Sequence, residues 1–567
     1  MAVQTESEMK VAPRDPAQVM RLARLGSFHQ SRLSFMRQLT RRMQSEHCAF
    51  SRPKFAMDDA GVGHAVYSAE IGGRTYSLVA FAHDLPDAQR SDRVIAEAWD
   101  ATFTLFDGVP ADDDIDRLSR NVPVQEAGRV TAHELTVSRA NRSVRLWNHV
   151  VDALAAGQQP DADQIDAVGY LMRTTAVYGS GKLGAADREQ IAGRPEFESP
   201  FQAEMLTVYL IRWFVRDLVQ HMARAKGGAE AVTLDPLLAR RLGIGNSTGL
   251  GMAPFLINHP VLTNNWIAAR ENAIARVRSL QRAETSELAL FENLLARSAI
   301  SVERWSTSHP LQAGGVKQLD RDLQRLRDRI VDKPLTGSDP WNTIYLWTEE
   351  NLGLEAQECL ASLMLEPYGA LVDDLCGCMS ADETAFERLR GDMKVSELAA
   401  RIEEIYGWAL ETDWADHGEI ARAWYVSAEK LEPRLGERFE EPIEPYEQPL
   451  APARDIARLH GDLAGWAGDE TVAAFVLRHP EHRHAVRRVQ VVSRAPYAEI
   501  RDNTISAEVL PIDMLRCKLS FFGAVHFDPR SDRWVRICMF GNAPYPEELA
   551  RGDADTWPYP DIAASPG

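Results

Sequence analysis

The chain has 567 residues, 45% of them apolar and 26% charged, which is the composition of an ordinary globular protein. Its formal net charge of −19 at pH 7 repels phosphate backbones, so we expect no nucleic-acid partner. Six cysteines are too few for a disulfide framework in so long a chain, and they predict a cytoplasmic protein with six free thiols.

The beginning of the chain is polar. Residues 1–15 have no apolar run behind a basic end, so we predict a disordered tail there rather than a signal peptide. No run reaches the roughly 18 uncharged apolar residues of a membrane span. The nearest run, at residues 205–219, is interrupted by Arg212, Arg216 and Asp217. We therefore expect a soluble protein without a membrane partner.

Residues 16–131 are predicted to form an N-terminal α+β region. Apolar residues recur at three- and four-residue steps over residues 16–47, which indicates one or two helices. Two β-rich runs then flank Gly72 and Gly73, a pattern typical of a β-hairpin. Residues 91–108 predict either a helix or a helix that leads into a strand.

Residues 132–440 are predicted to be a helical region with little strand. The clearest helix covers residues 200–228, where an apolar stripe ends in basic residues and a Gly-Gly stop. Arg139, Arg142 and Arg145 recur at three-residue steps, which places them on one face of a helix. Such a row either binds an anion or pairs with acidic neighbours.

A stretch rich in proline and acid, around residues 440–454, predicts a linker before a C-terminal β-containing region at residues 455–567. β-branched and aromatic runs at residues 484–494, 514–527 and 533–540 predict strands. The predicted fold class is therefore α+β and mainly helical. It has a central helical region and strand-rich segments near the two termini, which could form one shared sheet.

The least ordinary stretch is GIGNSTGLGMAPF, at residues 243–255. Glycines allow a backbone to approach a ligand closely, and Asn246, Ser247, Thr248 and Gly249 add hydrogen-bond donors. We predict an irregular loop that binds an anion just before a helix. It is not a P-loop, because no Lys-Ser or Lys-Thr follows the final glycine. The alternative is a plain connection between two helices.

A second glycine-rich stretch lies roughly seventy residues earlier. Arg173 and Tyr178 lead into Ser180 and Lys182, with a glycine on either side of the serine. A lysine beside flexible backbone is suited to hold an anion, since its ammonium group is a compact charge on a long stem. The alternative is a polar surface loop with an exposed lysine.

The third predicted binding segment lies in the run at residues 514–527. On a strand, Arg516, Lys518 and Ser520 would share one face and could bind an anion, while Cys517 would point to the other. The alternative is a hairpin whose charges face water. We expect no metal site, because Cys376 and Cys378 are too close for a metal knuckle.

Two hypotheses of function follow. The first is an intracellular enzyme, of undetermined reaction type, that acts on a small anionic metabolite or acyl-thioester bound by the glycine-rich stretches. His259 is then best placed for proton transfer, and Tyr178 could protonate or orient a substrate oxygen. The second is a non-catalytic ligand-binding or assembly protein on a helical scaffold. No motif identifies a cofactor, and homo-oligomerisation is left open.

Overall fold

The computed structural model describes residues 10–86, 98–120, 122, 131–179, 191, 193–248, 260–303, 305, 310–379, 389–415, 452–500, 511–528 and 535–556. Most of the predicted linker therefore lies outside the described residues. Residues 10–15 of the predicted tail are described, and Arg14 among them is buried. The division of the chain at residues 131 and 440 stays a prediction.

Helices make up most of the described chain. They are α1 (Pro16–Val19), α2 (Phe35–Ser45), α3 (Asp112–Ser119), α4 (Trp147–Ala155), α5 (Ala162–Val168), α6 (Gln202–Gly227), α7 (Pro236–Arg241), α8 (Pro260–Arg278), α9 (Thr285–Glu303), α10 (Pro310–Asp332), α11 (Pro340–Asn351), α12 (Leu354–Leu363), α13 (Gly369–Val372), α14 (Val395–Glu411), α15 (Pro452–Leu463), α16 (Val472–Arg478), α17 (Arg483–Val492), α18 (Pro511–Phe522) and α19 (Pro546–Leu549). Among the described helices, none has both the length and the apolar character needed to cross a membrane.

The strands form a single sheet. They are β1 (Ala49–Met57), β2 (Gly63–Ile71), β3 (Arg74–Ala82), β4 (Ala101–Asp107), β5 (Glu134–Arg142), β6 (Tyr170–Gly179), β7 (Gly243–Thr248), β8 (Val525–Asp528) and β9 (Val535–Met539). Their spatial order is β1-β2-β3-β4-β5-β6-β7-β9-β8. Within the described residues, β6 and β7 are the one parallel pair, and the other neighbouring strands are antiparallel.

Helix α6 covers one face of the sheet. Its 26 residues are mostly apolar, its last turn is basic, and Gly228 ends it with a φ of 57° that favours glycine. Phe214 packs on Phe103 of β4 with ring centroids 5.7 Å apart, and the hydroxyls of Thr207 and Thr136 of β5 are 2.7 Å apart. Because side chains alternate along a strand, every second residue of β4 counted from Phe103, and of β5 counted from Thr136, also faces α6.

The opposite face is apolar over its first strands. Val66, Val79, Phe81 and Phe106 form a small core there with Ile115 of α3. Helix α3 begins with three aspartates, because carboxylates are favoured beside the positive end of a helix dipole. This small core stops short of β5 and β6.

The large hydrophobic core joins the other face of the sheet to the helices between α8 and α13, and it also takes in residues from α1, α2 and α18. A second core forms separately between α14, α15, α16 and α17. Residues of the N-terminal segment contribute to the large core, and Arg14 and Arg37 are buried there in ion pairs. Arg14 donates to Glu271 at 2.7 Å and to Glu358 at 2.7 Å, and both carboxylates are fully buried. Arg37 donates to both oxygens of Glu366.

The mainly helical α+β class is confirmed, and so are the hairpin at Gly72 and Gly73 and the long helix that begins near residue 200. Strands near the two ends do share one sheet. The strand-poor middle is wrong, because β5, β6 and β7 form the centre of that sheet. Arg139 and Arg142 lie on β5 and not on a helix, since pairing with β4 and β6 outweighs the local helical period.

The predictions of two C-terminal strands are also wrong. Residues 483–492 form α17 and residues 511–522 form α18, so Arg516, Lys518 and Ser520 do not line a strand. The apolar runs that predicted strands there are equally compatible with buried helix faces, which periodicity alone cannot separate over short lengths. Conversely, the predicted irregular loop at residues 243–255 begins as a strand, β7.

The buried carboxylate of Glu358 yields a stability prediction. It accepts from Arg14, Arg24 and Arg270, and these guanidinium groups overcome the effect of burial and lower its pKa to about 2. Replacing Glu358 by Gln leaves buried positive charge uncompensated, so we expect a loss of about 3–5 kcal/mol in unfolding free energy at pH 7. The control Glu350→Gln, on the surface of α11, should cost almost nothing.

Glu358 also sets an acid dependence. Because its folded pKa lies below that of an unfolded Glu, its contribution is complete above about pH 4.5 and is lost as the pH falls towards 2. Urea unfolding of wild type, Glu358→Gln and Glu350→Gln at pH 7 and pH 3 measures this loss of stability. Equal stabilities of wild type and Glu358→Gln at pH 7 would contradict the argument.

Candidate functional site

The two glycine-rich stretches begin beside each other in the sheet. Strands β6 and β7 are parallel, with Tyr170 opposite Gly243 and Arg173 opposite Gly245. Their carboxyl ends therefore point to the same edge, and Gly179 and Thr248 are the last residues of the two strands. In sheets with parallel strands, ligands commonly bind beyond the carboxyl ends.

Two of the predicted binding residues lie on these strands with described side chains. Asn246 donates from Nδ2 to the hydroxyl of Thr174 at 3.4 Å, so its side chain is on the same face as Thr174. Arg173 precedes Thr174 in the strand and therefore belongs to the opposite face. Arg173 and Asn246 are neighbours in the sheet but are separated by its backbone.

The remaining predicted residues are placed only in part. The backbones of Tyr178, Ser247 and Thr248 lie within β6 and β7, close to the carboxyl ends of these strands. Ser180, Lys182, Gly249 and His259 lie outside the described residues. Their assignment to a ligand stays a prediction.

Arg516 and Lys518 are brought to a different part of the molecule. They lie on α18, where Arg516 is buried and donates from Nη1 to the carbonyl of Ala23 at 3.0 Å. The same nitrogen is 2.5 Å from Oε1 of Glu355. Arg516 of α18 thus forms an ion pair with Glu355 of α12.

The first two glycines of GIGNSTGLG have packing roles. A Cβ on Gly243 would lie 2.3 Å from the carbonyl oxygen of Met539 on β9. A Cβ on Gly245 would lie 2.6 Å from the ring of Tyr170, which covers this position. Both distances are shorter than real Cβ contacts, so β7 requires glycine at these positions to fit between its neighbours.

A group of polar residues crosses the sheet on the face opposite α6. We call it the polar row, and its members are His83, Asp100, Asn141 and Arg173. The backbone N–H of His83 donates to the carbonyl of Asp100 at 2.9 Å, just beyond the paired ends of β3 and β4. Ala101 lies opposite Ala140, and Asn141 lies opposite Arg173. Residues directly opposite on neighbouring strands share a face, so these four form one line.

Side chains in the polar row also hold the strand ends together. The backbone N–H of Asp100 donates to Oδ1 of Asn141 at 3.2 Å, and the backbone N–H of Arg142 donates to Oδ2 of Asp100 at 3.0 Å. Arg142 in turn donates from Nη2 to the carbonyl of His83 at 3.2 Å. These hydrogen bonds fix the backbone positions of the polar row without any bound ligand.

Three members of the polar row are buried and His83 is half-buried, and buried polar atoms lie beside them. Asp100 is fully buried, while Asn141 and Arg173 are each 6% exposed. The buried atoms Nε2 of His83, Oγ1 of Thr102 and Nε1 of Trp99 have no hydrogen-bond partner among the described residues. Buried polar groups are normally bonded, because leaving one unpaired costs about 1–3 kcal/mol.

His83 is held in its neutral form. Burial lowers the pKa of His83 below its ordinary value of 6.5, the carboxylate of Asp100 opposes this, and the guanidinium of Arg142 adds to it. A neutral imidazole is able to accept a proton at neutral pH. The charged groups that affect the pKa of His83 are thus one carboxylate, of Asp100, and one guanidinium group, of Arg142.

Sequence reasoning found Arg173 and missed the other three members. His83 and Asp100 stand at the ends of two apolar runs, and neither belongs to a local motif. Asn141 was overlooked because its segment was interpreted as a helix. The signal that could have found the row is the alternation of β3, β4 and β5, but only once the register of their pairing is known.

Comparisons with known proteins add no relative to this geometry. A comparison of the chain with protein-family models matched none of them, and comparisons with curated proteins and with solved structures gave no match.

Gly245 allows a test of the packing at β7. We expect Gly245→Ala to cost about 1–3 kcal/mol of unfolding free energy, since the added methyl group meets the Tyr170 ring. The control Gly315→Ala lies in α10 with no atom within 4 Å of its Cβ, and it should stabilise by about 0.5–1 kcal/mol. Thermal or urea unfolding measures both. A Gly245→Ala protein as stable as wild type would refute the packing role.

The lowered pKa of His83 predicts a pH dependence. Below about pH 6.5 the unfolded chain takes up a proton that folded His83 resists, so stability falls between pH 7 and pH 5. We expect His83→Gln to reduce this fall, as measured by urea unfolding of wild type and variant between pH 7 and pH 5. Since burial also lowers the pKa of His29 and His64, part of the fall remains in every variant. Identical pH profiles for wild type and His83→Gln would contradict us.

Proposed function

We propose that the protein is a cytoplasmic enzyme that binds a small metabolite carrying a carboxylate or phosphate group, or an acyl-thioester, along the polar row. The observation that carries this proposal is the alignment of His83, Asp100 and Arg173 on adjacent strands, with unpartnered buried donors beside them. The backbones of His83 and Arg173 are three strand spacings apart, or about 14 Å. A ligand that contacts both residues must therefore extend across several strands.

The chemistry of the unpartnered atoms favours an acceptor-rich ligand. The indole nitrogen of Trp99 can only donate, and the hydroxyl of Thr102 can donate as well. Arg173 and Arg139 lie on the same face of the sheet and add guanidinium groups, which match the shape of carboxylate and phosphate. A ligand with several oxygen acceptors and negative charge fits this set of donors. The net charge of −19 likewise favours a small molecule over a nucleic acid.

The chemical step that we propose is proton transfer by His83. Its imidazole is neutral, and the carboxylate of Asp100 stabilises the imidazolium that forms when the ring accepts a proton. Arg173 would hold the anionic group of the substrate and so position the reacting atoms. Tyr178 and His259 remain proposed as further acid–base groups, and Lys182, Ser180, Gly249, Ser247 and Thr248 as further contacts from the glycine-rich stretches. Asn246 is not proposed as a contact of this ligand, because its side chain lies on the other face of the sheet.

A ligand-binding protein without catalysis is the second candidate. It would use the same guanidinium groups but would not need His83. The two proposals differ in one measurable respect, because replacing His83 should abolish turnover in an enzyme and should leave affinity largely unchanged in either case.

Arg173 provides the first test. We expect one or more of inorganic phosphate, succinate, AMP and acetyl-CoA to raise the melting temperature of wild type in a saturable way. Arg173→Met should weaken that binding about 10- to 100-fold, since a charge-assisted contact contributes about 1.5–3 kcal/mol. Arg212→Met is the matched control, because Arg212 is also buried and lies on α6, outside the polar row, where it donates to the carbonyls of Leu242 and Arg240.

The control separates binding from stability. Arg212→Met should lower the melting temperature without changing the apparent dissociation constant. If Arg173→Met only destabilises, with unchanged affinity for the probe, Arg173 is a structural residue and the proposed site is wrong.

A further inference from the structure

Three arginines converge on one carboxylate near the C-terminal end of the described chain. Asp555 accepts from Arg32 at 3.0 Å, from Arg41 at 3.2 Å and from Arg37 at 3.4 Å. We call Arg32, Arg37 and Arg41 the arginine triad. Arg37 and Arg41 lie one turn apart on α2, and Arg32 precedes that helix.

Two members of the triad have a second carboxylate of their own. Arg37 makes a two-pronged pair with Glu366, with bonds of 2.6 and 2.9 Å, and Arg32 makes one with Asp373, with bonds of 2.7 and 2.6 Å. Arg41 has no such pair. Its other partners are the carbonyl of Arg32 at 3.0 Å and the Sγ of Cys376 at 3.3 Å, and the nearest oxygen of Asp373 is 3.7 Å away.

The charges of this cluster balance only when Asp555 is present. The arginine triad carries three positive charges, and Glu366, Asp373 and Asp555 carry three negative ones. The neighbouring His29 adds none at neutral pH, because burial lowers its pKa. Removing the Asp555 carboxylate leaves one positive charge uncompensated where the arginine side chains are at most 16% exposed.

Asp555 is also the member of the cluster that is open to solvent. Its side chain is 37% exposed, compared with 27% for Asp373 and 3% for Glu366, so it is the most exposed of the three carboxylates. It belongs to a short segment without helix or strand, held by a bond from the N–H of Ala554 to Gln44 and by bonds from Arg240 to Thr556. In addition, Nε of Arg37 is buried without a partner, so the triad has a donor that Asp555 does not use.

We propose that the arginine triad is an oxyanion site which Asp555 occupies from within the chain. A free phosphate or carboxylate group can take the place of Asp555, and the segment at residues 553–556 then leaves the triad. A phosphate group has more acceptor oxygens than a carboxylate and can bond all three arginines at once. The site is separate from the polar row and does not depend on the function proposed there.

The experiment begins with Asp555→Ala, which removes the internal carboxylate and leaves room for an added anion. Its melting temperature is measured in sodium chloride and then at the same ionic strength with inorganic phosphate or acetate at millimolar concentrations. We expect a melting point several degrees below wild type in chloride and a saturable recovery in phosphate. Asp553→Ala, in the same segment, carries the same charge change and should show neither effect.

Two further variants locate the recovery. It should persist in Asp555→Ala combined with Arg173→Met, which alters only the polar row. It should disappear in Asp555→Ala combined with Arg41→Ala, which removes the arginine that has no two-pronged pair with a carboxylate. Recovery by acetate as well as phosphate would show that any small oxyanion is accepted, and recovery by phosphate alone would show that the additional acceptors matter.

Wild type is tested without any substitution by hydrogen exchange. Phosphate should speed exchange in the peptide that contains Ala554 and Thr556, while exchange in the helices of the second core stays unchanged. The proposal is overturned if phosphate fails to stabilise Asp555→Ala, if Arg41→Ala does not abolish the recovery, or if phosphate leaves the exchange of this peptide in wild type unaltered.

Discussion

A buried arginine must have partners for its charge and its N–H groups, and the carboxylates that pair with several buried arginines organise the molecule. A guanidinium group keeps its charge at any pH a protein experiences, so burial without a partner is prohibitively costly. Arg14 is buried against Glu271 and Glu358, and Arg37 against Glu366. These contacts draw the N-terminal segment into the interior, between the sheet and the helices that follow α8. The aromatic ring of Phe35 then packs there against Phe201 and Phe521.

The parts of the fold that were predictable from the sequence are those whose interacting residues lie close together in the chain. Helix α6 and the hairpin at Gly72 depend on residues close together in the chain, and both were predicted correctly. Strands β5, β6 and β7 depend on partners far away in the sequence. Their local periods resemble those of helices, and only pairing across the sheet makes them strands. The helix α18 shows the reverse, since its apolar residues look like a strand until they meet the large core.

The candidate site shows a similar division. Arg173 stood out in the sequence because it precedes a glycine-rich stretch, and the parallel pairing of β6 with β7 does bring the two stretches to one edge. His83 and Asp100 could not be found in this way, because each is unremarkable among its own neighbours. Their proximity is a property of the register between strands, which is set by the whole face of the sheet. Binding residues on strands are therefore harder to find from sequence than those in glycine-rich loops.

The position of β9 has a consequence for how the chain is made. β7 forms its outer hydrogen bonds with β9, which belongs to the end of the described chain. During synthesis β7 emerges long before β9, and until then its unpaired backbone is an open edge that can pair with another chain. A chain cut anywhere between α8 and β9 keeps that edge bare. Truncation late in the sequence should thus cause aggregation, and a cell would need to shield the growing chain until its last strands are made.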